Sequence, residues 1–144
     1  MEHQLADGRI SIGPIDHVAI AVRDLDAAID RYGRLLGGGV AYREAVQGQD
    51  TEVAFLDLPG ATSIELIAPL REAGPVARFL EQRGEGLHHV CFLVEDVDRA
   101  LRQAAGAGIS LLDTVGRPGA QGSRIGFVHP AAFGGVLVEL KQKP

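Results

Sequence analysis

The chain has 144 residues, 46% of them apolar and 23% charged, with a formal net charge of −5, which suits one globular domain with its own core and leaves too little chain for two. It has no lysine- or arginine-rich run, no apolar stretch near the ~18 residues of a membrane span and no signal-peptide order at its N-terminus, so neither a nucleic-acid nor a membrane partner is expected. The one cysteine, Cys91, excludes a disulfide framework and fits a reducing, cytoplasmic setting.

In chain order, residues 1–13 read as a flexible leader, followed by a single domain over 14–144. A strand is predicted over 15–22; its alternation puts Asp16, Val18, Ile20 and Val22 on an expected core face. His17, Ala19 and Ala21 fall on the other face, where a histidine beside two small residues leaves room for a ligand. Asp24 is a natural N-cap for a helix over 25–36 that carries Leu25, Ala28, Ile29, Tyr32, Leu35 and Leu36 as its apolar stripe and ends at Gly37. Strands are expected near 40–45, 52–58 and 62–68, and in the last of these Glu65 interrupts an apolar run. Pro75 opens a short helix closed by Gly84, the connector (71–85) between module one (14–70) and module two (86–144). Module two starts with a strand over 87–94, then Asp96, a helix over 97–107 and a strand at 109–113. A long loop containing Arg117 and Arg124 leads to strands near 124–129 and 135–141, the last holding Glu139 in an apolar run.

The second module repeats the first. His17 and His89 are 72 positions apart, as are Val18 and Val90, Asp24 and Asp96, and Ala28 and Ala100. The Glu-Leu pairs at 65–66 and 139–140 are 74 apart, which needs only a two-residue insertion. Each half therefore reads as a βαβββ unit with a histidine in its first strand and a glutamate in its last. The expected fold is α+β, two such modules paired by a pseudo-twofold into a curved mixed sheet. The period exceeds that of solenoid repeats, which disfavours stacking.

Paired in this way, His17, Glu65, His89 and Glu139 meet near the axis. Two imidazoles and two carboxylates on rigid strands suit a divalent first-row metal, and an octahedral ion would keep two positions open for substrate. A lone strand histidine is more often structural; recurrence of both residue types in register is what argues for ligands. His88, adjacent to His89 and equivalent to Asp16, falls on the opposite face by alternation and is assigned a hydrogen-bonding or packing role. His129 reads as a turn residue, and Cys91 as a small buried hydrophobe.

Several runs carry a family resemblance: the strand at His17, Ile64-Glu-Leu-Ile-Ala-Pro-Leu70, Phe79-Leu-Glu-Gln-Arg-Gly-Glu-Gly-Leu-His-His-Val90, Arg117-Pro-Gly-Ala120, Phe127-Val-His-Pro130 and Gly135-Val-Leu-Val-Glu-Leu140. With two βαβββ modules and this ligand set, the chain resembles the vicinal-oxygen-chelate superfamily, and within it the methylmalonyl-CoA epimerases. The resemblance implies an acyl-CoA substrate, a homodimer, and a Co2+- or Mn2+-type ion (Zn2+ and Ni2+ being further options). It also implies inversion at the α-carbon by two bases, one of which maps onto Glu139. The family's other base, a glutamate, falls on Gly48 here, followed by Gln49 and Asp50; Asp50 is the preferred substitute and Glu44 the alternative. Gln49, Arg117 and Arg124 are candidate substrate contacts, while Ala131 stands where the family carries a lysine after His-Pro. Two other readings within the superfamily are a glyoxalase-I-like lyase, favoured by Glu rather than Gln at position 65, and a non-catalytic small-molecule binder. A ring-cleaving dioxygenase, which needs two histidines and one carboxylate, fits Glu65 least.

Overall fold

The computed structural model describes residues 9–144, so residues 1–8 of the expected leader lie outside the described residues. Module one comprises β1 (Ile15–Ala21), α1 (Leu25–Leu36), β2 (Val40–Val46), β3 (Thr51–Leu56) and β4 (Ser63–Pro69). After the connector α2 (Pro75–Arg83), module two comprises β5 (Gly86–Leu93), α3 (Val97–Gly106), β6 (Arg117–Pro118), β7 (Arg124–Val128) and β8 (Val138–Gln142). The two long helices start the same way. Asp24 accepts from the Ala27 N–H and Asp96 from the Arg99 N–H, each at 3.0 Å, satisfying one of the free donors of the first turn. Gly37, at φ +81°, closes α1 in the left-handed conformation that favours glycine.

The eight strands form one sheet in the order β2-β3-β4-β1-β5-β8-β7-β6. Each module's first strand pairs parallel with its last, β1 with β4 and β5 with β8, and the modules join through the antiparallel β1–β5 pair. Val18 faces Val90 in that pair, and His17↔Cys91 is mirrored by Ala19↔His89. Exchanging each residue for its repeat equivalent turns one of these pairs into the other and leaves Val18↔Val90 in place, as a pseudo-twofold between Val18 and Val90 requires. The two edges of the sheet also approach one another. Gln121, in the turn between β6 and β7, donates its N–H to Glu44 of β2 at 2.9 Å, so the sheet curls into a cup.

The sheet is covered on both faces, and this corrects the expected core face of the first strand. His17, Ala19 and Ala21 are 2%, 0% and 0% exposed, more buried than Val18. Ala19 and Ala21 pack inside the cup with Val53, Phe55, Ile67 and, from α2, Val76 and Leu80. Val22 and Ile20 pack behind the sheet with Leu25 and Ala28 of α1. The equivalent cluster behind module two is Val97, Ala100, Leu101, Val128, Val138 and Leu140, and Ile10 packs against it. Full burial of a leucine such as Leu66, Leu101 or Leu140 contributes about 1.5–3 kcal/mol each. Gly13 donates to the Leu93 carbonyl at 2.7 Å, so the last part of the expected flexible leader is tied to the domain.

The predicted strand at 109–113 does not form; only Leu111 makes a bridge, to Val128. The cause is local. The Asp113 carboxylate accepts the Phe127 N–H at 2.8 Å, and the Leu112 and Asp113 N–H groups both converge on the Phe127 carbonyl. A side chain has taken the acceptor role that a ladder carbonyl would fill. The edge position passes to the two-residue β6, and Pro118, with no N–H to offer a further strand, suits an edge.

Candidate metal centre and active site

His17 sits on β1 and His89 beside it on β5. Glu65 on β4 is paired with Ala19, and Glu139 on β8 with Cys91, two positions that are themselves equivalent under the repeat. The two central strands and their parallel partners therefore deliver the four predicted ligands to one point inside the cup. All four are buried, 2% exposed for His17 and 6% for each of the others. His17 Nε2 lies 3.1 Å from Glu139 Oε1, 3.4 Å from Glu65 Oε1 and 3.4 Å from His89 Nε2. His89 Nε2 lies 3.2 Å from Glu139 Oε1 and 3.7 Å from Glu65 Oε1.

The separations between the two histidines and from them to each carboxylate fit a shared ion, and donor atoms of His17, Glu65 and His89 lie close enough together to hold one. Ligand atoms about 2.1 Å from one metal stand about 3.0 Å apart at right angles and about 3.4 Å apart at the tetrahedral angle. The mixed nitrogen and oxygen donor set suits a first-row divalent ion rather than Ca2+ or Mg2+. The electrostatics agree. Burial disfavours charge on His17, yet hydrogen bonds with Asp16, Cys91, Glu139 and Glu65 outweigh it and raise its pKa far above the ordinary imidazole value. Burial likewise opposes ionisation of Glu139, but His89 and His17 hold it well below the usual carboxylate range. The cluster is built to hold positive charge.

Asp16, His17 and Cys91 also bring donor atoms close together. That group does not suit a metal. Lys141 Nζ, 6% exposed, already sits 3.0 Å from Asp16 Oδ2, and burial pushes the Cys91 thiol up to about 12, so it stays protonated.

The four predicted ligands all line a cavity of about 490 Å³. Gly48, Gln49, Asp50 and Arg117, singled out from the sequence, all line it. Asp50 is in the left-handed region at φ +52°, and Arg71 reaches its carboxylate at 2.5 Å. Arg117 donates from Nε to Asp113 Oδ1 at 3.2 Å and stands over the Phe127 ring.

Arg124, expected as a substrate contact, is absent from the cavity wall; it grips Asp98 of α3 through Nε at 2.7 Å and Nη2 at 3.1 Å. Glu44, the alternative second base, also lies outside the wall and is held by the Tyr42 hydroxyl and the Gln121 N–H. His129 accepts the Ala131 N–H in a turn, as its place before proline predicts.

His88 departs from simple alternation. In the β1–β5 ladder Ala19 faces His89 and Ile20 faces Leu87, so His88 is the extra residue of a β-bulge. It joins His89 in lining the cavity instead of pointing away, with its ring against Phe79 and Nδ1 2.8 Å from His89 Nδ1. Burial, then the neighbouring His89, lowers its pKa to about 4, so it is neutral near pH 7. Sequence reasoning missed Thr51, Ser123 and Lys141, which also face the cavity. For Lys141 a signal was present: it follows Glu139 by two residues and so shares its face.

A family model described as the Glyoxalase/Bleomycin resistance protein/Dioxygenase superfamily matches residues 16–127. The ethylmalonyl-CoA/methylmalonyl-CoA epimerase of Cereibacter sphaeroides is 43% identical over 134 residues, 91% of this chain and 98% of that protein. Among solved structures, methylmalonyl-CoA epimerase from Mycobacterium tuberculosis matches with a TM-score of 0.88 at 40% identity, covering 92% of this chain and 89% of that one. A Streptomyces coelicolor methylmalonyl-CoA epimerase variant in complex with 2-nitronate-propionyl-CoA matches with a TM-score of 0.87 at 37% identity, covering 92% and 96%. The chain belongs to the glyoxalase/bleomycin resistance protein/dioxygenase superfamily and, within it, to the methylmalonyl-CoA epimerase family.

Proposed function

We propose that this chain epimerises methylmalonyl-CoA, or a close 2-alkylmalonyl-CoA, by removing the α-proton of the thioester and returning it to the opposite face. The observation that carries this reading is the convergence of four buried donors that line one cavity, in a chain of the epimerase family. A divalent ion held by His17, Glu65, His89 and Glu139, with Co2+ ahead of Mn2+, Zn2+ and Ni2+, supplies positive charge at the substrate's carbonyl oxygens and so acidifies the α-proton.

The chain's own groups then divide the work. Glu139, kept ionised by the two histidines, takes the proton on one face of the planar enolate. Asp50 is the base on the other face. Its pairing with Arg71, whose side chain is 68% exposed, is a weak surface contact that substrate can displace. Gln49 and Arg117 on the cavity wall bind the acyl and pantetheine portions.

We further propose a cytoplasmic homodimer. Cys91, buried and free, suits a reducing compartment. Light scattering reads the dimer directly.

The decisive experiment incubates metal-loaded protein with methylmalonyl-CoA in deuterium oxide. Wild type is expected to wash deuterium into the α-position, Glu139→Ala to lose exchange, and Asp50→Ala to slow inversion. No exchange in metal-loaded wild type overturns the function, and full activity in Asp50→Ala overturns the second base.

A further inference from the structure

The β1–β5 ladder contains two bulges, and they are related by the repeat. Ile15 faces Phe92 and His17 faces Cys91, so Asp16 is skipped just as His88 is skipped between Ala19 and Ile20. Asp16 and His88 are 72 positions apart and each immediately precedes a metal-ligating histidine. A bulged residue is freed from alternation, so its side chain can turn toward its neighbour's. Both do so at the same atom. Asp16 Oδ2 lies 2.7 Å from His17 Nδ1, and His88 Nδ1 lies 2.8 Å from His89 Nδ1.

We propose that Asp16 and His88 are positioning residues that set the tautomer and orientation of His17 and His89 toward the metal, and that they do so with unequal strength. An ionised carboxylate only accepts hydrogen bonds, so Asp16 holds the proton on His17 Nδ1 and leaves the Nε2 lone pair free for the ion. His88 does the same for His89 by accepting at its own Nδ1, which places its proton on Nε2. The first partner is an anion and strengthens the ligand; the second is neutral and mainly orients it.

Lys141 completes the arrangement. Its ammonium shares Asp16 Oδ2 at 3.0 Å and stands 5.4 Å from the Phe55 ring, so the added negative charge behind His17 is compensated inside the protein. With two glutamates balancing a divalent ion and Asp16 balancing Lys141, the buried cluster carries no net charge when loaded.

The inference rests on the metal site proposed above, and the test separates the two. Metal affinity is measured by chelator competition with Co2+, alongside the visible spectrum of the Co2+ form, for wild type, Asp16→Asn/Lys141→Met and His88→Phe. The double variant is used because Asp16→Asn alone strands a buried ammonium; melting of the metal-free proteins checks the fold. The expected result is a loss of affinity on the order of 10–100-fold with an altered spectrum in the double variant. A smaller, several-fold loss is expected in His88→Phe. Wild-type affinity and spectrum in a folded Asp16→Asn/Lys141→Met protein overturn the inference, as does a larger loss from His88→Phe. A wild-type protein that binds no Co2+ instead overturns the metal site on which it rests.

Discussion

Nε2 of His17 lies 3.4 Å from Nε2 of His89, and the two rings meet edge to face, with centroids 5.4 Å apart. Neither ring can be lost without opening the cluster, because each also faces both carboxylates. His17→Ala and His89→Ala are therefore expected to lose tight metal binding alike. Thermal melting with and without Co2+ checks this. At an ion concentration 100 times the dissociation constant, wild type gains about 2.7 kcal/mol. The variants are expected to gain almost nothing. A variant that keeps the full shift shows its histidine is no ligand.

Gly48 occupies a short turn on the cavity wall, at the position where the resemblance leads one to expect the second base, a glutamate. Its φ is not in the left-handed region, and an added Cβ would meet nothing within 4 Å. Gly48→Glu is thus expected to fold normally and present a carboxylate to the cavity. If Asp50 is a poorly placed substitute base, the gain in kcat for epimerisation falls within the 10²–10⁴-fold range of a positioned general base, at about the lower end. The assay is α-deuterium exchange under single-turnover conditions. A fall in rate would mean that the open space at position 48 is occupied by substrate.

Much of this was legible in the sequence because it depends on local rules or on the repeat. The Asp24 and Asp96 caps set both helix starts, and the offset between His17 and His89 pointed to their meeting without any knowledge of the sheet. What escaped were features in which one residue overrides the local pattern. Alternation put His88 on the wrong face because a bulge is a property of the strand pair, visible only when Ala19 and Ile20 are matched to their partners. Apolar periodicity made a strand of 109–113, but the Asp113 carboxylate competes for the Phe127 N–H. Arg124 looked like a substrate contact until its partner Asp98, on a separate element, was in view. The role of Lys141 depends on Asp16, 125 positions away.

That Asp98 pairing has a pH signature. The carboxylate accepts from Arg124 and from the Gly116 N–H, which pins the start of β6 and β7 to α3. The Arg124 hydrogen bond first, then that of Gly116, lowers its pKa below the ordinary 3.8. A carboxylate with a depressed folded pKa contributes stability that is present above its unfolded value and is lost as pH falls through the folded one. Asp98→Asn is therefore expected to melt lower than wild type at pH 7, with the gap closing below about pH 3.8. Melting curves across pH 7 to 2.5 check the sign. A gap that widens on acidification would contradict it.

Gly126, in the middle of β7, faces Leu140 across the ladder and lies beneath the fully buried Leu101 of α3. A Cβ there would sit 2.7 Å from Leu101 Cδ1, so the Leu101 side chain would have to shift to accommodate it. Gly126→Ala is expected to cost about 1–3 kcal/mol by overpacking. Leu101→Ala costs about 2–5 kcal/mol by leaving a cavity. The two defects have opposite shapes, one adding and one removing volume at the same contact. The double variant is therefore expected to be less destabilised than the sum of the singles, with a coupling of about 0.5–3 kcal/mol. Urea denaturation of the four proteins closes the cycle. Strict additivity would mean that α3 shifts away from β7 to relieve Gly126→Ala.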